Sequence, residues 1–130
     1  MSWVEVLAVF LVSHLTGDYL LQTDWQARHK RGGLGGDPVA LRALLSHIAT
    51  YTLAFVPALV WLAGDIGAAA IAAGAAIALP HLVQDDGRLL GVYMRFVKGP
   101  GAVQNATVAA AVDQSFHMLA LFALALVVGT

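Results

Sequence analysis

The chain has 130 residues, room for one domain over 1–130, and is 59% hydrophobic, only 12% charged and positive in mean hydropathy (+0.76). Soluble domains average about 45–50% apolar and about 25% charged residues, so the surplus apolar surface must face something other than water, and a lipid bilayer is the simplest partner. The absence of cysteine excludes disulfides, thiolate zinc sites, iron–sulfur clusters and cysteine nucleophiles, and a net charge of −1 gives no basis for nucleic-acid binding.

The first apolar run starts at Trp3, and a helix over about 2–22 is long enough to cross a hydrocarbon core. No basic residue precedes it and no small-residue cleavage site follows it, so it reads as a retained span rather than a signal peptide. Its second half carries His14, Asp18 and Gln22 at intervals of four, one polar stripe on a greasy helix. Residues 23–38 hold Arg28, His29, Lys30 and Arg31, then Gly32, Gly33, Gly35 and Gly36, and read as a solvated loop; Pro38 suits the first turn of the next helix.

A second span is expected over about 39–63, with His47, Tyr51 and a kink at Pro57, followed by a tight turn at Gly64-Asp65. A third, over about 66–84, is nearly all Ala, Gly and Ile and ends on His81 and Asp85. Its Ala70, Gly74 and Ala78 make a small-residue face for packing inside the bundle or for a homodimer. Asp86 reads as a solvated neighbour of Asp85, and His29 as a surface residue. Residues 89–97, with Tyr93 and Phe96 between Arg88, Arg95 and Lys98, suit a short interfacial helix ended by Gly99-Pro100-Gly101. A fourth span over about 105–128 carries Asp113, Gln114 and His117. The expected fold is therefore an all-α polytopic membrane protein: four transmembrane helices in a bundle, plus one interfacial helix.

Four spans place 23–38 and 86–104 on one side, and both termini with the Gly64-Asp65 turn on the other. All seven Lys and Arg residues fall on or beside the first side. The positive-inside rule makes that side cytoplasmic and the termini external. His14, Asp18, His47, His81, Asp85, Asp113 and His117 then share one depth in the cytoplasmic half. Ionisable groups in a bilayer are costly and face partners or a cavity. Imidazoles with carboxylates suit a divalent transition metal such as zinc, manganese or iron, as one ion or two. Gln22, Tyr51 and Gln114 are placed to support those ligands, and Lys30, Arg88, Arg95 and Lys98 to hold a headgroup or phosphate at the mouth. An ion-free polar network that sets helix register is the alternative. Bis-histidine haem ligation is less suited to histidines that each have a carboxylate one turn away.

The pattern His14-x3-Asp18-Tyr19-x-Leu21-Gln22, then Lys30, His47, His81-x3-Asp85-x2-Arg88 and Asp113-Gln114-x2-His117, resembles the bacterial membrane proteins grouped as domain of unknown function 3307. The resemblance spans nearly the whole chain. It implies a small multi-span inner-membrane protein with polar motifs shared among its helices, and no particular activity. The chemistry of the residues points to a metal-dependent hydrolase or phosphotransferase acting on a lipid or phosphate substrate. The competing functions are a non-enzymatic metal- or proton-handling protein, a haem-binding bundle, and a structural subunit of a larger membrane complex.

Overall fold

Local capping signals decide where most of the helices start. In the computed structural model, which describes all 130 residues, α1 (Trp3–Leu15) opens on a capping box. The Ser2 hydroxyl accepts from the Glu5 amide, and the Glu5 carboxylate accepts from the Ser2 amide at 2.8 Å. Thr23 and Gln26 form the same device for α2 (Asp24–His29). Asp37 caps α3 (Pro38–Ile66), with Pro38 in its first turn, and Asn105 caps α6 (Ala106–Val128). α4 (Ala69–Asp86) and α5 (Arg88–Tyr93) lack a side-chain cap and are separated by Gly87, whose φ of +78° is glycine's own region. No strand is present.

Several sequence expectations are corrected. Residues 23–38 are not an open loop: they contain α2 and a 3₁₀ turn over Gly33–Gly35. The Thr23–Gln26 box nucleates α2, and buried Gln26 ties it to α3 by donating to Ser46 Oγ at 3.1 Å. The turn between the second and third long helices is not at Gly64-Asp65. α3 runs on through Pro57, Gly64 and Asp65, and the chain reverses at Gly67, which has a φ of +59°. Finally, three helices rather than four are long and apolar enough to cross a membrane: Trp3–Leu20, Pro38–Ile66 and Ala106–Val128. α4 falls short because seven of its 18 residues are alanine, only weakly hydrophobic, and its last turns carry His81, Gln84, Asp85 and Asp86.

α1, α3, α4 and α6 pack around one another, with the closest association between α3 and α4. Ala70 is buried, Ala78 is half-buried, and a methyl group at Gly74 would lie 3.1 Å from Leu59 Cδ1, so at Gly74 the small-residue face lies against α3. One half of the interior is apolar: Val6 and Phe10 from α1, Phe55 and Leu62 from α3, Ile77 from α4 and Leu121 from α6. The outward faces are apolar too, with Val60, Ile71 and Val127 all exposed.

The bundle has two distinct ends. At one, the N-terminal ammonium donates to Asp65 at 2.8 Å, and the Thr130 amide donates to the Met1 carbonyl at 2.8 Å. At the other, the 23–38 segment folds back over α4. Gly32 N–H donates to the Asp86 carbonyl at 2.8 Å, and Leu34 N–H to the Asp86 carboxylate at 2.8 Å. Asp86 is therefore buried, not solvated as its sequence context suggests, because it is the acceptor that pins this segment. Burial opposes its charge, but Arg88 and the Leu34 amide outweigh burial and hold its carboxyl below the ordinary carboxylate range.

α1 does not end as a regular helix. It widens into a π turn over Thr16–Leu20, in which Leu21 N–H donates to the Thr16 carbonyl five residues back, at 3.0 Å. Gly17 lies in that turn directly against α3. A Cβ there would sit 2.6 Å from Tyr51 Cδ2 and 3.2 Å from Tyr51 Cα. The Tyr51 ring cannot swing aside, being stacked on His81 at 3.5 Å between centroids and 9° between planes. Gly17→Ala should therefore separate α1 from α3 and cost about 1–3 kcal/mol, the usual penalty for overpacking. Thermal unfolding in detergent checks this: an unchanged Tm would mean that the contact is soft.

Candidate metal centre

Four elements aim polar side chains at the half of the interior that the apolar core leaves free. The π turn carries Asp18 inward. α3 presents His47 and, one turn later, Tyr51. α4 presents His81 and Asp85 one turn apart, and α6 presents Asp113, Gln114 and His117. Asp18, His47, His81 and Asp85 are all buried and come together in one group that could hold a metal ion. His47 Nε2 lies 3.1 Å from Asp18 Oδ1, 2.9 Å from Asp85 Oδ2 and 3.2 Å from His81 Nε2. His81 Nε2 lies 3.3 Å from Asp18 Oδ1 and 3.1 Å from Asp85 Oδ2. Zinc bound tetrahedrally by nitrogen and oxygen at about 2.0–2.2 Å needs donors roughly 3.3–3.6 Å apart. The five distances among these groups therefore lie within a few tenths of an ångström of that spacing, and all four donors lie within 4.8 Å of one another.

Asp85, Asp113 and His117 form a second group, sharing Asp85 with the first. Here a backbone contact fixes the state of the imidazole. His117 Nδ1 faces the Asp113 carbonyl oxygen at 2.7 Å, and a carbonyl only accepts, so Nδ1 carries the proton. In a neutral ring the opposite nitrogen, Nε2, is then a bare lone pair. It lies 3.3 Å from Asp85 Oδ1, off line for a hydrogen bond. Two buried acceptors facing each other require a second ring proton or a cation between them. A histidine oriented by a backbone carbonyl through its far nitrogen is also the usual arrangement of a metal ligand.

His14 lies one layer back, although its spacing from Asp18 suggests a ligand. The Asp18 carboxylate accepts from Gln114 Nε2 at 3.1 Å, which turns Gln114 Oε1 toward His14 Nε2 at 2.8 Å. His14 Nε2 must then donate, and its Nδ1 accepts from the Tyr51 hydroxyl at 2.9 Å. Both nitrogens are committed, and the chain Tyr51–His14–Gln114–Asp18 holds one carboxylate oxygen so that the other faces the cluster. Tyr51 and Gln114 thus both bond to His14, and Gln114 also to Asp18. Gln22 supports the backbone instead, donating to the Asp18 carbonyl at 3.3 Å. The Asp113 carboxylate is half-buried, with Oδ2 3.9 Å from His117 Nδ1.

The four basic residues expected at the mouth do not act together. Lys30 is drawn inside, its ammonium 2.7 Å from Asp85 Oδ2, because the folded 23–38 segment carries it over the end of the bundle. Arg88 Nε donates to Asp86 at 2.5 Å. Arg95 lies over the Phe96 ring at 5.7 Å from its centroid, and both Arg95 and Lys98 are exposed without an ion pair. His29 is exposed and stacked on Trp25, as a surface residue should be. Spacing gave no sign of Gln84, which ties α4 to α6 by donating to the Phe116 carbonyl at 3.1 Å.

Residues 6–130 match the family described as Protein of unknown function (DUF3307). The chain belongs to that family. Every polar residue of the cluster lies inside the matched stretch of this DUF3307 member, and the family description carries no activity. No curated protein and no solved structure matches the chain.

Supporting groups and ligands should separate by size of effect. Losing an outer hydrogen-bond partner typically costs about 10–100-fold in metal affinity. His14→Phe and Gln114→Leu should weaken zinc binding by that factor, whereas His47→Ala and Asp18→Asn should abolish it. Zinc titration of the purified variants against a competing chelator reads the difference. Complete loss in His14→Phe would return His14 to the ligand set.

Proposed function

We propose that this protein is a small membrane-embedded metalloprotein that holds zinc, manganese or iron between Asp18, His47, His81 and Asp85, and that it catalyses metal-dependent hydrolysis or phosphotransfer. The observation that carries the reading is the convergence of two carboxylates and two imidazole nitrogens in a buried site, all within 4.8 Å of one another and each carboxylate within 3.3 Å of both imidazole nitrogens. Support for the membrane comes from the three long apolar helices and their apolar outward faces. Lys30, Arg31, Arg42 and Arg88 gather at the end of the bundle that carries the cluster, which under the positive-inside rule faces the cytoplasm of a bacterial inner membrane.

A bound dication would supply Lewis acidity and a water nucleophile available near neutral pH. The chain's own residues do the rest. The Tyr51–His14–Gln114 relay keeps Asp18 in place. Lys30 sets a positive charge beside Asp85, where it can offset negative charge developing on a substrate oxygen. Asp85 belongs to both groups, so Asp85, Asp113 and His117 would hold a second ion if two were bound.

An ion-free network is the second reading, and two observations favour it. Lys30 already neutralises part of the Asp85 charge. The Nδ1 atoms of His47 and His81 are buried without a partner, whereas a metal-bound imidazole normally donates from its far nitrogen.

Elemental analysis of the detergent-purified full chain decides between them. Wild type and His29→Ala should carry one or two equivalents of a transition metal, and His47→Ala and Asp85→Asn should carry none. Equal metal in all four would defeat the ligand assignment, and a metal-free, folded wild type would establish the network. Imidazoles must be deprotonated to ligate, so lowering the pH through about 6.5 should release the ion, since neutral histidine is lost on that side. Metal retained undiminished at pH 4.5 would contradict histidine ligation.

A further inference from the structure

We infer that the site is entered sideways from the lipid, and that its ligand is an amphiphile with one long apolar chain and a phosphate head. The phosphate half rests on the metal reading above; the chain half rests on the shape of the protein alone.

A cleft of about 520 Å³ opens between α4, α5 and α6. Its walls are Leu79 and Val83 of α4, Leu89 and Tyr93 of α5, and Phe116 of α6, with the Tyr93 and Phe116 rings edge to face at 5.0 Å. Leu79, Val83 and Leu89 are exposed, so the cleft is open along the outer surface of the bundle. Its volume is that of a single drug-sized ligand, suiting one alkyl chain rather than a two-chain lipid.

The cleft differs from the other apolar grooves in where it leads. A groove of about 600 Å³ between α1 and α3 and one of about 430 Å³ between α1 and α6 have no charged residue in their walls. This cleft ends on Asp113 and Gln84, and the same two residues line a small chamber with Lys30, Arg31 and Asp85. Apolar surface open to the membrane therefore runs directly into the polar groups of the candidate centre. The chamber walls carry two carboxylates and two cations, so a bound dication makes the chamber positive. The chamber has a volume of about 10 Å³, room for one water, so a phosphate head would rest at its mouth, drawn there by the Lys30 ammonium, the Arg31 guanidinium and the ion. An alkyl chain lying in the cleft would place that head against Asp113 and Gln84.

The test uses the full chain in dodecyl maltoside micelles, with radiolabelled hexadecyl phosphate as the probe and scintillation proximity as the readout. Hexadecyl phosphate should bind at least tenfold more tightly than hexadecanol, and inorganic phosphate should not displace it at equal concentration. Val83→Trp and Leu89→Trp, each filling the cleft from an exposed position, should weaken binding about tenfold and leave metal content unchanged. Ile71→Trp, exposed on α4 away from the cleft, should change neither. Displacement by inorganic phosphate as effective as by unlabelled probe would mean a free-phosphate site and overturn the inference, as would wild-type binding in both tryptophan variants. The two readings fail separately. Metal present with no effect of the tryptophans removes the lateral cleft and keeps the centre. A metal-free wild type whose probe binding still depends on Val83 and Leu89 keeps the cleft and removes the centre.

Discussion

Two carboxylates, Asp18 and Asp85, are buried in a bundle whose outer surface is apolar, and the arrangement of the helices follows from the need to compensate them. An ionised carboxylate taken out of water costs several kcal/mol unless donors or cations surround it. No single helix can supply enough of them. α3 brings His47, α4 brings His81, α6 brings Gln114 and His117, and the folded 23–38 segment brings Lys30. Each partner fixes one element relative to the two charges, so the cluster acts as a register key for the bundle as well as a candidate centre.

The interior is divided along its length. Phe10, Phe55, Leu62, Ile77 and Leu121 fill the half toward the paired termini, and the ionisable groups occupy the half capped by the 23–38 segment. This division bears on function. A relay that moves protons or ions across a membrane needs polar groups along its whole path. Here the apolar half interrupts any such path, which favours chemistry at one side. The proposed hydrolysis or phosphotransfer would be chemistry of that kind, and the cleft ending beside Asp113 would give the proposed amphiphile a route that does not cross the core.

Much of this was legible from spacing. The four-residue intervals His14/Asp18, His81/Asp85 and Asp113/His117 place each pair on one helix face, and apolar lengths and basic residues order the segments so that all three pairs share one end. Two kinds of feature were hidden. The first is backbone geometry that a regular period cannot express: the π turn over Thr16–Leu20, which brings Gly17 onto Tyr51 and carries Asp18 into the cluster. The second is partner choice. His14 looks equivalent to His47 and His81 in sequence, yet Gln114 and Tyr51 occupy both its nitrogens. Lys30 and Asp86 look solvated among glycines and charges, yet each is turned inward by a contact with a residue more than fifty positions away.

The sequence by itself determined the helical class, the membrane-compatible lengths, the lack of thiol chemistry and the gathering of histidines with aspartates, because composition and periodicity act locally and do not depend on what packs beside them. Tertiary structure decided which histidine faces the carboxylates and which stands behind them, that Lys30 joins the cluster, and where an apolar cleft meets the polar chamber. Those outcomes depend on which side chain reaches an acceptor first across a helix interface, and a hydrogen bond resolves that choice over a few tenths of an ångström, far finer than a four-residue spacing can specify.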